Sequence, residues 1–571
     1  MRRIPAGLLA LALVVSGCGP EVSAGDIADL VVTNARVVTM DEGQPEAEAV
    51  AMRGDRILAV GSAAAVESMV GDATEVIDAG GRLVIPAFIE GHGHFTGLGD
   101  SKMILDLTTA RTWDDIVAQV AAAVAEAPAG TLIRGRGWHQ EKWETTPEPN
   151  VDGVPHHDAL SAVSPDHPVY LTHASGHAAF VNGLALEMAG IDGATPDPAG
   201  GTIVRDASGR ATGLLRETAQ GRVGNLRSGD PTPEERAATF RRQVELAGQE
   251  ALSKGVTSFH DAGTGFGTVD GYREMADAGE LPIRLYVMVR GSNASLDENL
   301  DDYFMDGHAN GFLTVRSIKR SIDGALGSHG AWLLEPYEDL PSSAGLNTSP
   351  VDDVEETAEI AARHGFQLNV HAIGDRANRE VLDLYERAWA TTDVAGSGLR
   401  WRIEHAQHLH PEDIPRFSGL GVIASMQGVH GTSDGPWVPE KLGDERAESG
   451  AYMWRSLWDS GAVVTNGTDV PVEPIDPISS YYSMVSRMTN TGERFYPDEA
   501  LTRLESLKAY TLNAAYSAFQ EDVLGSLTAG KYADLVILSK DILSIPEEEI
   551  PTAEVDLTVL GGSVAYRRAG N

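Results

Sequence analysis

The sequence predicts an α/β fold, a (β/α)8 barrel beside a small sheet domain assembled from both chain ends. Three observations carry that reading. The middle of the chain alternates apolar runs with helical segments, and eight such runs fall at 83–89, 256–259, 283–288, 314–318, 367–370, 402–404, 422–425 and 462–465. The two ends share a different style, short alternating strands with glycine turns, at 29–61 and again at 533–562. Histidines and an aspartate gather at the C-terminal ends of several of the eight runs, the face on which barrels carry their chemistry.

Taken in order, the chain opens with Arg2 and Arg3 before an apolar run at 8–15, built like a signal peptide and too short to span a membrane as a mature helix. It ends in Val15-Ser16-Gly17-Cys18, which resembles a bacterial lipobox, and Cys18 is the single cysteine of the chain. The expectation is cleavage before Cys18, lipidation of that residue, and an exported protein anchored to the periplasmic or extracellular face of the bacterial envelope. The expected organisation is a signal peptide at 1–17, a tether at 18–27, the small sheet domain at 28–80 and 516–571, and the barrel at 81–515. An excursion at 97–253 follows the first barrel strand, and so long an insertion at a catalytic rim forms a lid or a substrate pocket. With 83 acidic against 44 basic residues and a formal net charge of -39, the surface repels nucleic acid and anionic membrane. The expected partner is a small-molecule substrate, with membrane contact only through the lipid anchor and self-association left open.

Two histidines open the chemistry. His92 and His94 follow an apolar strand, and side chains at i and i+2 leave one face, so both can address one metal ion. Gly93 between them is expected to leave room beside that ion. His371, His405 and Asp469 fall at the ends of the fifth, sixth and eighth runs, in Val370-His371-Ala372, Glu404-His405-Ala406 and Gly467-Thr468-Asp469. Nitrogen and oxygen donors converging from separate strands suit a borderline divalent cation.

The ordered set Gly135-Arg136-Gly137-Trp138, Gly176-His177, Thr212-Gly213-Leu214 with Glu217, Ile322-Asp323-Gly324, His371-Ala372-Ile373-Gly374-Asp375, Glu404-His405-Ala406-Gln407 and Gly467-Thr468-Asp469-Val470-Pro471 resembles the amidohydrolase superfamily, in its amidohydrolase-3 or YtcJ-like branch. The resemblance covers nearly the whole mature chain. It implies a distorted (β/α)8 TIM barrel with a small β-sandwich from both ends. It implies Zn2+, as one or two divalent ions, with His92 and His94 on the more buried ion, His371 and His405 on a second where there is one, and Asp469 as ligand and proton shuttle. Lys319 falls where some members carry a carboxylated lysine bridging two metals. Many relatives have Asp where this chain has Glu90.

The expected reaction is hydrolysis of a non-peptide carbon–nitrogen bond, amide or N-acyl, by a metal-bound hydroxide with Asp469 as general base and then acid. Deamination, ester hydrolysis or isomerisation on the same platform, or solute binding without catalysis, are the alternatives. Trp138, His177, His430 and Asp434 are candidate substrate contacts on rim loops. His329 is a further candidate near the fourth strand, whereas Arg205 and Glu217 are expected in structural ion pairs and Asp375 in a loop.

Overall fold

The computed structural model describes residues 27–224, 226, 231–392, 394 and 396–570. The signal-like segment, Cys18 and all but the last residue of the tether lie outside the described residues. No helix among the described residues is long and apolar enough to cross a membrane.

Eight strands form one parallel sheet in simple sequential order: β1 (Phe88–Gly93), β2 (Val256–Thr264), β3 (Arg284–Val289), β4 (Leu313–Ser321), β5 (Gln367–Ala372), β6 (Arg402–His405), β7 (Ile423–Gln427) and β8 (Val464–Gly467). β1, β3, β5, β6, β7 and β8 are buried at every position, so none shows the apolar–polar alternation of a strand with one solvent face. The sheet closes on itself where β8 meets β1. There the Asp469 N–H donates to His92 O at 2.8 Å and the His94 N–H to Val470 O at 2.7 Å. Helices at Val351–His364 and Asp375–Thr392 flank β5. The first stops at Gly365, whose φ of 70° allows the left-handed C-cap.

One expected strand divides in two. The run at 83–89 is split at Ala87: Leu83–Pro86 pairs antiparallel with Leu535–Leu538 and parallel with Arg36–Val38, and only Phe88–Gly93 enters the barrel. Both halves are fully buried, so hydropathy alone cannot divide them. The six-stranded sheet that takes Leu83–Pro86 thus mixes both chain ends, and a four-stranded sheet comes from the N-terminal residues alone. Leu30, Val50 and Ile77 from the smaller sheet share a buried cluster with Val84, Ile537 and Val559 from the larger.

The excursion after β1 begins with α1 (Phe95–Ser101) and then builds its own six-stranded sheet, in which Val169–His173 and Ala178–Val181 are central and Ile133–Trp138 lies beside Val169–His173. It returns through α2 (Pro233–Ser253), which packs so closely on α1 that a Cβ at Gly99 would lie 1.9 Å from Gln243 O.

Arg284 at the start of β3 joins the barrel to the mixed sheet. Its guanidinium is bidentate to Asp534, with Nε to Oδ2 at 2.9 Å and Nη2 to Oδ1 at 3.2 Å, and the pair is almost fully buried. The guanidinium also lies 3.7 Å from the Tyr532 ring centre. Removing one partner leaves the other charge buried and unpaired. Asp534→Ala is expected to cost about 3–5 kcal/mol in denaturant unfolding, without altering the metal residues some distance along the barrel.

Candidate metal centre

β1 delivers His92 as its penultimate residue, and the backbone then turns so that His94 precedes α1 in an extended conformation (φ -120°, ψ 95°). The two closing hydrogen bonds between β1 and the segment after β8 bring Asp469 against both histidines. Asp469 Oδ1 lies 3.1 Å from His94 Nε2 and 3.5 Å from His92 Nε2. Asp469 adopts φ 56° and His405 φ 78°, left-handed backbone that is uncommon for non-glycine residues and concentrates at functional sites.

Each imidazole has its inner nitrogen assigned by the bond its outer nitrogen makes. His92 Nδ1 donates to the Glu404 carboxylate, and His405 Nδ1 donates to Gln427 Oε1 at 2.8 Å. Both Nε2 lone pairs therefore face inward, the arrangement that partners of this kind impose on metal-binding histidines. Glu404 is itself held by Arg402, with Nε 2.6 Å from Oε1 and both residues fully buried. Burial alone would raise the Glu404 carboxyl, but the Arg402 guanidinium and His92 hold it well below the carboxylate range.

Burial pushes His92 down to about 4, with the charge on Lys319 acting in the same direction. Burial likewise depresses His371 and His405. All three are neutral imidazoles at neutral pH, the form that ligates. Burial opposes ionisation of Asp469 too, but His92 and His94 hold it well below the usual aspartate range. Burial brings Lys319 down to about 7; its Nζ lies 3.4 Å from His92 Nε2.

His92, His405 and Asp469 each offer one ligand atom, and these atoms lie within 4.8 Å of one another, all buried. The His371 ring centre is 4.5 Å from that of His405. Among the described residues, His371 Nε2 is buried without a hydrogen-bond partner. A cation is what such a set of inward lone pairs lacks, so the donors fit a divalent metal ion. An ammonium on Lys319 cannot join that set.

Glu90 has a different place from the metal side. Its carboxyl is fully buried and accepts from Thr468 N at 2.6 Å and Thr468 Oγ1 at 3.1 Å, fastening the turn that carries Asp469. Burial pushes it up to about 8. Gly93 does not open space for an ion, as the sequence suggested: a Cβ there would meet Phe259 Cζ at 2.6 Å and Val470 Cγ1 at 3.0 Å. It is glycine because strand packing leaves no volume for a side chain.

A cavity of about 630 Å3 opens from these residues, lined by His177, His430 and Asp434 among the expected contacts. His177 comes from the inserted sheet, and its Nδ1 is 2.8 Å from Glu217 Oε2. Burial opposes charge on His177, but the Glu217 carboxylate prevails and raises it. Tyr452 Oη donates to Asp434 at 2.7 Å. Trp138 is a correction. It is buried in the core of the inserted sheet, donates Nε1–H to Leu171 O at 2.9 Å and stacks on Trp143, lining no cavity. His329 pairs with Asp339 at 3.0 Å rather than entering the cavity, and Arg205 pairs with Asp197 at 2.8 Å. Asp375 Oδ1 accepts the Leu334 N–H at 2.8 Å and so ties its loop.

Sequence reasoning missed His139, His173 and Trp437, which also line the cavity, because none lies on a barrel strand: His173 ends a strand of the inserted sheet, and His139 and Trp437 sit in connecting segments. It also assigned no role to Glu404 or Gln427; the adjacency of Glu404 to His405 was the one available signal.

The model of the Amidohydrolase family matches residues 75–566. Among curated proteins, the chain is 35% identical to Protein LONG AFTER FAR-RED 3 of Arabidopsis thaliana, over 95% of this chain and 92% of that one. It is 30% identical to the putative amidohydrolase YtcJ of Bacillus subtilis, over 93% and 98%, and 28% identical to the N-substituted formamide deformylase of Arthrobacter pascens, over 95% and 99%. Among solved structures, an uncharacterized metal-dependent hydrolase from Pyrococcus horikoshii superposes with a TM-score of 0.71 at 25% identity, covering 91% of this chain and 99% of that one. With a family match across most of its length and a donor set suited to a divalent ion, this chain belongs to the amidohydrolase family, as a metal-dependent hydrolase acting on carbon–nitrogen bonds.

Proposed function

We propose that the protein hydrolyses a non-peptide amide or N-acyl bond of a small molecule, with His92, His94, His371, His405 and Asp469 as metal ligands and Asp469 as the proton carrier. The observation that carries this reading is the convergence of inward-facing neutral imidazoles on a buried, ionised Asp469, whose Oδ1 lies 3.1 Å from His94 Nε2 and 3.5 Å from His92 Nε2. The similarity to a formamide deformylase supports the choice of an N-acyl bond.

A divalent ion, zinc in this proposal, would supply Lewis acidity toward the carbonyl oxygen and make water nucleophilic at neutral pH. The chain's own residues do the rest. Asp469, ionised in the resting site, takes the proton of the attacking water on its carboxylate and returns it to the departing nitrogen. Glu404, braced by Arg402, keeps His92 in the tautomer that aims Nε2 inward. The inserted sheet covers the barrel mouth with His177 and limits access of bulk water. Lys319, fully buried beside His92, becomes a ligand only as its carbamate, and that modification belongs to this proposal. So do the reading of the two small sheets as one β-sandwich, the division at 28–80, 81–515 and 516–571, and an exported protein anchored through Cys18.

Asp469→Asn is expected to lower kcat by at least about 100-fold. Elemental analysis of the same variant separates its two roles: near-normal turnover would refute the proton-carrier assignment, and lost metal would locate the defect in ligation. The double substitution His92→Ala with His94→Ala should remove bound metal and activity together, as chelation should in the native protein. Glu404→Gln is expected to weaken metal binding by about 10–100-fold, read directly by competition with a chromogenic chelator.

A further inference from the structure

The metal residues stand between two chambers. One is the cavity of about 630 Å3, walled by Trp437, His139 and His173. The other, of about 790 Å3, is walled by Arg136 and Arg290 together with Lys319 and His94. His177, His371, His405 and Asp469 line both, so a substrate lying across them has one half in each chamber.

The two arginines differ from others in the chain. Arg136 donates from Nε to Pro471 O at 3.0 Å and from Nη2 to Ala174 O at 2.8 Å, both backbone carbonyls. Arg290 has a single long contact, Nη2 to Ala262 O at 3.4 Å. Among the described residues neither forms a salt bridge, whereas even the half-exposed Arg363 and Arg387 pair with carboxylates. Asp469 lines the same cavity and acts on both guanidiniums through space, as Asp261 does on Arg290. No carboxylate among the described residues contacts either one directly, so each keeps hydrogen-bonding capacity that an anion can take up. The channel for Arg290 is built: a Cβ at Gly263 would lie 2.1 Å from Arg290 Nε and 2.9 Å from Lys319 Cγ, so only glycine leaves the guanidinium its place. Burial brings Arg136 down to about 10, which still leaves it cationic at neutral pH. Arg136 also belongs to Gly135-Arg136-Gly137-Trp138, a motif that the hydrolytic chemistry leaves without a role.

We propose that Arg136 and Arg290 form a carboxylate-binding subsite, so that the substrates are N-acyl compounds carrying a carboxylate on one side of the scissile bond and an apolar or aromatic group on the other. This rests on the carbon–nitrogen hydrolase reading. Planar guanidinium forks match a carboxylate in two hydrogen bonds, and the other chamber, polar over much of its wall, offers Trp437, Leu326 and Ile373 to the apolar half. Hydrolysis then adds the water hydroxyl to the acyl carbon and its proton to nitrogen, while the distal carboxylate is unchanged.

The test uses the metal-loaded protein and two probes that it cannot hydrolyse, 4-phenylbutanoate and the neutral 4-phenylbutanol, titrated by calorimetry. The expected result is at least about tenfold tighter binding of the carboxylate, with that preference lost in Arg290→Gln and in Arg136→Gln and the metal content unchanged. Arg136→Gln removes contacts to Pro471 and Ala174, so Arg290→Gln decides the matter if the other variant misfolds. Equal binding of both probes by the native protein overturns the subsite. So does a preference that survives in the folded variants, since the metal alone then holds the carboxylate. Loss of metal in Arg290→Gln with the preference intact also overturns it, and assigns that arginine to Lys319. Hydrolysis of N-phenylacetylglycine against the neutral N-ethylphenylacetamide separates the two readings. Turnover of the neutral amide alone defeats the carboxylate subsite and leaves the hydrolase standing. Inertness toward every amide, with the binding preference present, defeats the amide reading and leaves the subsite standing.

Discussion

The backbone junction between β8 and β1 is the constraint on which the rest of the site depends. Two hydrogen bonds, Asp469 N to His92 O and His94 N to Val470 O, both close the barrel and set three candidate ligands against one another. The Glu90 carboxyl adds two more bonds to Thr468 from inside the barrel. Gly467 permits this approach, because a Cβ there would lie 2.5 Å from Glu90 Oε1 and 2.7 Å from His92 N. Barrel closure and assembly of the metal centre are therefore one event. A barrel that failed to close would present His92 and Asp469 on separate edges.

Around that junction the electrostatics are arranged in shells of opposite demand. Burial strips charge from His92, His371 and His405, which keeps their nitrogens available as lone pairs. The negative charge of Glu404 would be unsupportable in the same interior without Arg402, which also donates to Gly91 O at 2.8 Å and so returns to β1. The chain Arg402–Glu404–His92 thus carries orientation from the barrel wall to the metal face. The inserted sheet contributes from the other side, placing His177 with Glu217 and the guanidinium of Arg136 over the same centre.

The barrel was legible because apolar residues recur in short runs separated by helical segments, and because potential donors repeat at the ends of those runs. That regularity is what nominated His92, His94, His371, His405 and Asp469. The errors share a cause as well. The run at 83–89 is uniformly buried, so only the partners of Leu83–Pro86 and Phe88–Gly93 assign them to different sheets. Trp138 sits in a site-like motif, yet its indole faces the core of the inserted sheet. Gly93 looked like space for an ion and is instead space for Phe259.

The alternation of strands with helices, the candidate donors and their order along the chain follow from local hydropathy and residue chemistry, and are readable without a fold. What surrounds those donors follows from the fold alone. Glu404, Gln427, Glu90, Arg136 and Arg290 act through partners up to hundreds of residues away, as with Glu404 and His92, which are 312 positions apart. Local patterning carries no information about such pairs, because a hydrogen bond is set by the approach of two atoms in space and not by the spacing of their residues along the chain. The pair at His92 and His94 is a property of the sequence; the centre they help to form is a property of the closed barrel.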